Sequence, residues 1–215
     1  MSEQNQHLEA LEDIKQLMHK SSRFISLSGW SGIAAGCCAL AAAVYTATRI
    51  ECWRRGDCEF ERIIDDGSLN LKSTLLFVAL VTFFVASTLA FLFTYLRSKK
   101  NGVPIWGHTA RRVLINVAVP MIVGGVFIWR MMDIGFYGLI APACLIFYGL
   151  GLINASKYTL PEVRYLGYGQ LIFGIINLWM IGYGLYFWAA GFGVLHIIYG
   201  IVMWNRYERN INAVG

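Results

Sequence analysis

One histidine, His196, lies inside an apolar stretch of this chain, with Tyr199 one turn later on the same helical face. An ionisable side chain among apolar neighbours is a functional hypothesis in itself, and histidine can hold a proton or a ligand near neutral pH. Asn116, Gln170 and Asn177 are the other polar side chains in similar surroundings, and with His196 and Tyr199 they form a candidate intramembrane polar site. Two readings of His196 compete. In one it holds neighbouring helices together through a hydrogen bond from an amide or a tyrosine hydroxyl. In the other it lines a path for a carried molecule. No Asp, Glu, Lys or Arg occupies the centre of an apolar stretch, which argues against a carboxylate proton relay, voltage sensing and a charged ion filter. His7, His19 and His108 lie outside the stretches, so haem held by two histidines is not expected. No Ser-His-acid set, paired carboxylates or metal-spaced histidines can be assembled. The expectation is a protein that is not an enzyme and carries neither metal nor cofactor.

The cysteines point to structure. Cys52 and Cys58 fall in one hydrophilic segment, residues 49–73, where a disulfide is expected on the oxidising side of a membrane. Cys37, Cys38 and Cys144 sit in apolar stretches, where thiols behave as small hydrophobes. Glu59, Glu61, Asp65 and Asp66 lack the alternating oxygen spacing and central Gly of a calcium loop, and read as a solvated acidic face. Ser28, Gly32 and Gly36 recur every four residues beside a row of alanines, a pattern that lets helix backbones approach closely in lipid. The seam so formed serves packing within the chain or a homo-oligomer.

The elements that must position these residues are six long, nearly uncharged runs at 24–48, 74–96, 113–129, 134–153, 165–180 and 185–204. Hydrophobic residues are 57% and charged residues 14% of the 215, about half the charged share of a soluble domain. Runs of roughly 17–25 apolar residues span a bilayer, and backbone groups deprived of water there must be helical. The expected fold is therefore all-α: a single membrane domain of six transmembrane helices in the lipid bilayer. The net charge of +5 is no nucleic-acid signal, because the basic residues flank the runs. Lys and Arg are twice as frequent on the side holding the N-terminal approach, the 97–112 segment, the 154–164 link and the tail as on the opposite side. The positive-inside rule then places both termini in the cytoplasm of a bacterium, with 49–73 outside. Trp106, Trp129, Trp179, Trp188 and Trp204 fall near the ends of the runs, as interfacial aromatics do.

Residues 8–21 place Leu8, Leu11, Ile14 and Met18 at helical spacing, which predicts an amphipathic interfacial helix or a docking helix for a cytosolic protein. No cleavable leader is expected in the polar first twenty residues. Thr159 and Pro161 are expected to open the fifth helix, with Glu162 near its positive end and Arg164 paired to a neighbouring acid. The later runs also repeat. Pro120, Gly124 and Trp129 match Gln170, Gly174 and Trp179 at an offset of 50, and Tyr148, Gly149 and Asn154 match Tyr199, Gly200 and Asn205 at 51. Both hairpins would point the same way, as a parallel repeat.

The runs KSSRFISLSGWSGIAAG, NASKYTLPEVRYLGYGQ and YGLYFWAAGFGVLHIIYGI resemble an uncharacterised family of six-span inner-membrane proteins of Bacteroidota. The glycine-punctuated hairpins are also similar to bacterial acid-resistance membrane proteins built from two-span repeats. The first resemblance implies an inner-membrane location and adds no catalytic residue. Three functions stay open: a stress-related sensor or accessory component, a carrier or binder of a neutral or lipophilic molecule, and a membrane-embedded lipid enzyme.

Overall fold

A computed structural model describes residues 27–55, 67–100, 102 and 106–209, with side chains of the second helix from residue 74 onward. The helices are α1 (Gly29–Arg55), α2 (Gly67–Lys100), α3 (His108–Asp133), α4 (Ile140–Ala155), α5 (Glu162–Trp179), α6 (Gly184–Trp188) and α7 (His196–Tyr207). Short 3₁₀ turns at Tyr137–Leu139 and Ile181–Tyr183 lead into α4 and α6. A π-helical segment, Ala189–Leu195, joins α6 to α7, so Ile181–Tyr207 forms one continuous helical stretch.

Among the described residues, five helical stretches are long and apolar enough to cross a membrane: Gly29–Arg55, Thr74–Lys100, His108–Asp133, Tyr137–Ala155 and Ile181–Tyr207. Their outward faces carry large apolar side chains such as Phe77, Phe84 and Phe91 on α2 and Ile122 and Val126 on α3. So much contiguous exposed apolar surface suits lipid and not water. The chain is a helical membrane bundle. The run expected at 165–180 corresponds to α5, which is not among the five. It is interrupted by Gly167, Gly169, Gly174, Gln170 and Asn177, and much of it faces other helices. A helix packed inside protein needs less apolar surface than one facing lipid.

Several helices overrun their apolar cores. The first was expected at 24–48 but begins at Gly29 and continues to Arg55. Glu51 takes ion pairs from Arg54 and from Arg55 one turn on, and such pairs prolong a helix into water. Positions 49–55 and 67–73 of the expected outer loop are therefore helical. α3 likewise extends from the expected 113–129 to His108–Asp133, and Arg130 pairs with Asp133 at its far end. The amphipathic segment 8–21, Cys58 and the acidic residues 59–66 lie outside the described residues.

Packing follows the glycines. α1 lies against α7 and the π-segment, while α2 packs chiefly on α1. A Cβ built on Gly29 would stand 2.5 Å from the Gly200 carbonyl oxygen, and one on Gly200 would stand 2.6 Å from that of Gly29. Gly32 and Gly36 meet Gly200, Tyr199, Gly193 and Ile197 in the same crossing. A second crossing joins α4 and α5, where a Cβ on Gly149 would stand 2.8 Å from the Gly167 oxygen. Backbone contact this close is how helices gain dispersion energy when lipid removes the hydrophobic drive. α3 rests on the other side of α4. The order across the bundle is α2, α1, the last stretch, α5 with α4, and α3, an open row.

The hairpins depart from simple repetition. Their 3₁₀ turns start at Tyr137 and Ile181, 44 positions apart instead of the 50 or 51 of the matched residues. Gly124 and Gly174 both face α4, against Phe147 and against Leu145 and Ile146.

Candidate functional site

His196 sits where the π-segment gives way to α7, and it is buried. Its Nδ1 lies 3.1 Å from the carbonyl oxygen of Gly191, and its Nε2 lies 2.9 Å from the Tyr148 hydroxyl on α4. A carbonyl can only accept, so Nδ1 must carry the proton and donate to it. Nε2 then accepts from the Tyr148 O–H. In this tautomer both ring nitrogens of a neutral imidazole are satisfied. Gln170 from α5 donates its Nε2 to the same Gly191 oxygen at 2.8 Å. Its 3.5 Å approach to Nδ1 of His196 is a contact between two donors and adds no bond. Phe192 closes the group, its ring near-parallel to His196 at 6.0 Å and tilted over Tyr148 at 5.1 Å.

The backbone makes this meeting point. A π-helix widens the turn and departs from the i→i−4 ladder, and here the Gly191 carbonyl receives two side-chain donors. A Cβ at 191 would stand 2.4 Å from Cδ2 of Leu145 and 2.6 Å from Oε1 of Gln170, so any side chain there forces both neighbours to shift. The result is a polar knot joining α4, α5 and the last stretch.

The other candidates disperse. Tyr199 lies on α7 with its ring against Gly32, and packs on the cluster of Leu152, Leu160, Val163, Leu166 and Met203. Its buried hydroxyl has no hydrogen-bond partner among the described residues. Asn177 donates to the Met180 carbonyl oxygen at 2.9 Å, tying off the end of α5. Asn116 is distant from His196 in the network: its Nδ2 donates to the Arg112 oxygen at 2.8 Å, and its own carbonyl oxygen accepts from Asn154 at 3.5 Å. So the structure groups His196 with Gln170, sets Tyr199 one turn away, and leaves Asn116 and Asn177 at separate joints. The tyrosine hydroxyl that meets His196 is that of Tyr148, and the Gly191 carbonyl has no signal in the sequence. In the sequence Tyr148 is marked only by its match to Tyr199 at an offset of 51.

A second polar group lies at the end of the bundle where α1 begins. The Glu208 carboxylate, just past α7, accepts from the Gly29 backbone N–H at 2.7 Å and from the Ser28 hydroxyl at 3.2 Å. Arg97 from α2 reaches the same oxygen at 3.0 Å and also donates to the Leu27 carbonyl. Ser28 is thus a polar anchor ahead of the helix, while Gly32 and Gly36 lie in the close crossing. Glu162, in the first turn of α5, accepts from Arg206 at 2.7 Å and from the Tyr207 hydroxyl at 3.0 Å. The acid expected for Arg164 is absent among the described residues; its Nε donates to the Ser156 hydroxyl at 3.4 Å. Two residues along a helix turn the side chain by about 200°, so Glu162 faces the bundle and Arg164 faces out. Pro161 stands at the N-cap of α5, one position ahead of its first helical residue Glu162, and Thr159 is buried two residues before it.

Cys52 is disulfide-bonded, and its expected partner Cys58 lies outside the described residues. Cys37, Cys38 and Cys144 are free. Among the described residues no three His, Cys, Asp or Glu side chains converge as metal ligands. No protein-family model, curated protein or solved structure matches the chain.

Proposed function

We propose that this protein is a non-enzymatic, six-span component of a bacterial inner membrane, with both termini in the cytoplasm. In this reading it serves as a stress-related sensor or accessory subunit and works through surfaces outside the bundle. The observation that carries it is the saturation of His196: Gly191 and Tyr148 occupy both ring nitrogens, so its chemistry is spent on joining helices. The sixth crossing is supported by α5, which runs antiparallel beside α4. Gly167 meets Gly149, and Gly174 meets Leu145 and Ile146. At about 1.5 Å per residue, its 18 residues cover some 27 Å of the ~30 Å hydrocarbon layer. An even number of crossings puts both ends on one side, and the bias of basic residues makes that side the cytoplasm. The likeness to the Bacteroidota family agrees with this placement.

Mass spectrometry of protein released from native-lipid nanodiscs tests the reading. No neutral small molecule is expected at one per chain; a stoichiometric one would reverse it. The carrier alternative draws on three buried oxygens without hydrogen-bond partners among the described residues, Gln170 Oε1, Asn177 Oδ1 and the Tyr199 hydroxyl. A carried molecule with hydrogen-bond donors would satisfy them, and substituting Tyr199→Phe would then weaken its retention.

A further inference from the structure

The charges at the Ser28 end of the bundle are divided unevenly. Its two sheltered carboxylates are committed, the part-buried Glu208 to Arg97 and the buried Glu162 to Arg206. Three other cations hold only neutral groups, and all three land on one five-residue segment, the last turn of α4 and its exit. The Arg112 guanidinium of α3 stands over the Tyr158 ring at 5.6 Å. Lys157 Nζ donates to Asn154 Oδ1 at 3.2 Å, and Arg164 Nε of α5 donates to the Ser156 hydroxyl at 3.4 Å. All three are exposed. α3 adds to the positive field: it opens without a side-chain cap or an acidic residue in its first turn, while carrying Arg112 near that end.

Apolar surface begins within one turn of Arg112 and Arg164, and within one turn of Asn154, which holds Lys157. Ile115 lies one turn after Arg112 on α3, Leu150 one turn before Asn154 on α4, and Tyr168 one turn after Arg164 on α5, all exposed. Cations bordering exposed apolar helix faces match one kind of molecule, an amphiphile with an anionic head. We infer that Arg112, Lys157 and Arg164 form a headgroup site for an anionic phospholipid, whose phosphate they hold while its chains run along α3–α5. Basic pockets between transmembrane helices bind such headgroups, and each Lys or Arg near the surface adds about 1 kcal/mol, close to fivefold in affinity. Forked guanidinium donors suit phosphate oxygens, and a Lys supplies a point charge beside them.

The test uses the full chain in detergent, titrated with phosphatidylglycerol or phosphatidylcholine and read by native mass spectrometry. Retention of phosphatidylglycerol above phosphatidylcholine is expected. The pair Lys157→Gln/Arg164→Gln should weaken phosphatidylglycerol by roughly 25-fold. The pair Lys99→Gln/Arg209→Gln removes equal charge from the same end and should change it less than threefold. Equal losses in both pairs would reduce the site to a diffuse positive field and overturn the inference. So would equal retention of the two lipids, or lower thermal stability without altered lipid selectivity. Glycerol phosphate binding as tightly as the lipid would also overturn it, by removing the role of the chains. Should the double variant misfold, raising salt on the native protein keeps the test open: phosphatidylglycerol retention must fall steeply while phosphatidylcholine is unaffected.

Discussion

At the scale of single residues, the bundle concentrates its polar interactions at a few joints. His196→Leu removes a donor from Gly191 and an acceptor from Tyr148, yet Gln170 still serves the Gly191 oxygen. Interhelical hydrogen bonds in membranes average only about 0.6 kcal/mol, so the expected loss is about 1 kcal/mol. Part of it is the stranded Tyr148 hydroxyl, so adding Tyr148→Phe should cost less than the two single changes together. Reversible unfolding in mixed micelles measures all three variants; full additivity would contradict a direct bond. Gly191→Ala is a harsher change, because its methyl meets Leu145 and Gln170 with little room to move. It should cost 1–3 kcal/mol through overpacking and separate the last stretch from α4 and α5. How much of this was legible depends on range. His196 and Gln170 stood out as polar letters in apolar runs. Tyr148 did not, because a tyrosine is ordinary in a membrane helix and its partner lies 48 positions away.

At the scale of elements, the helix ends carry the less obvious engineering. Every helix leaves its first four N–H groups without internal partners, and α1 receives help for one of them from Glu208, at the other end of the chain. Glu208→Gln keeps an acceptor for Gly29 but removes the charge facing Arg97; Glu208→Ala removes both. Stability should fall by about 1 kcal/mol for the first and 2–3 kcal/mol for the second, from loss of a cap and of a largely buried pair. Hydrogen exchange at the start of α1 should quicken in step with these losses; unchanged exchange would deny the cap. The helical runs themselves were readable because length and absence of charge are local properties. Their ends were not: the ion pairs that carry α1 to Arg55 and α3 to Asp133 lie beyond the apolar cores that mark a span. The π-segment left no mark at all, since the AAGFGVL run reads as an ordinary small-residue helix. For Cys52 and Cys58, non-reduced peptide mapping should recover one cross-linked species; two alkylatable thiols would exclude the bond.

At the scale of the whole molecule, the row of helices was not predictable from apolar runs, because neighbours are chosen by glycine faces meeting across the chain. A reporter fused after Arg209 should be active only in its cytoplasmic form, and periplasmic activity would overturn the proposed orientation. The pairing of Gly29 with Gly200 has a consequence in time. Among the described residues, the first helix made docks on the last, about 170 residues later. At 5–20 residues per second, α1 waits roughly ten to thirty seconds for its partner. Through that interval it has α2 beside it, with the glycine face still bare. A chain cut short before α7 therefore releases an α1–α2 hairpin whose close-packing surface stays open, a form that membrane quality control can tell from the finished protein.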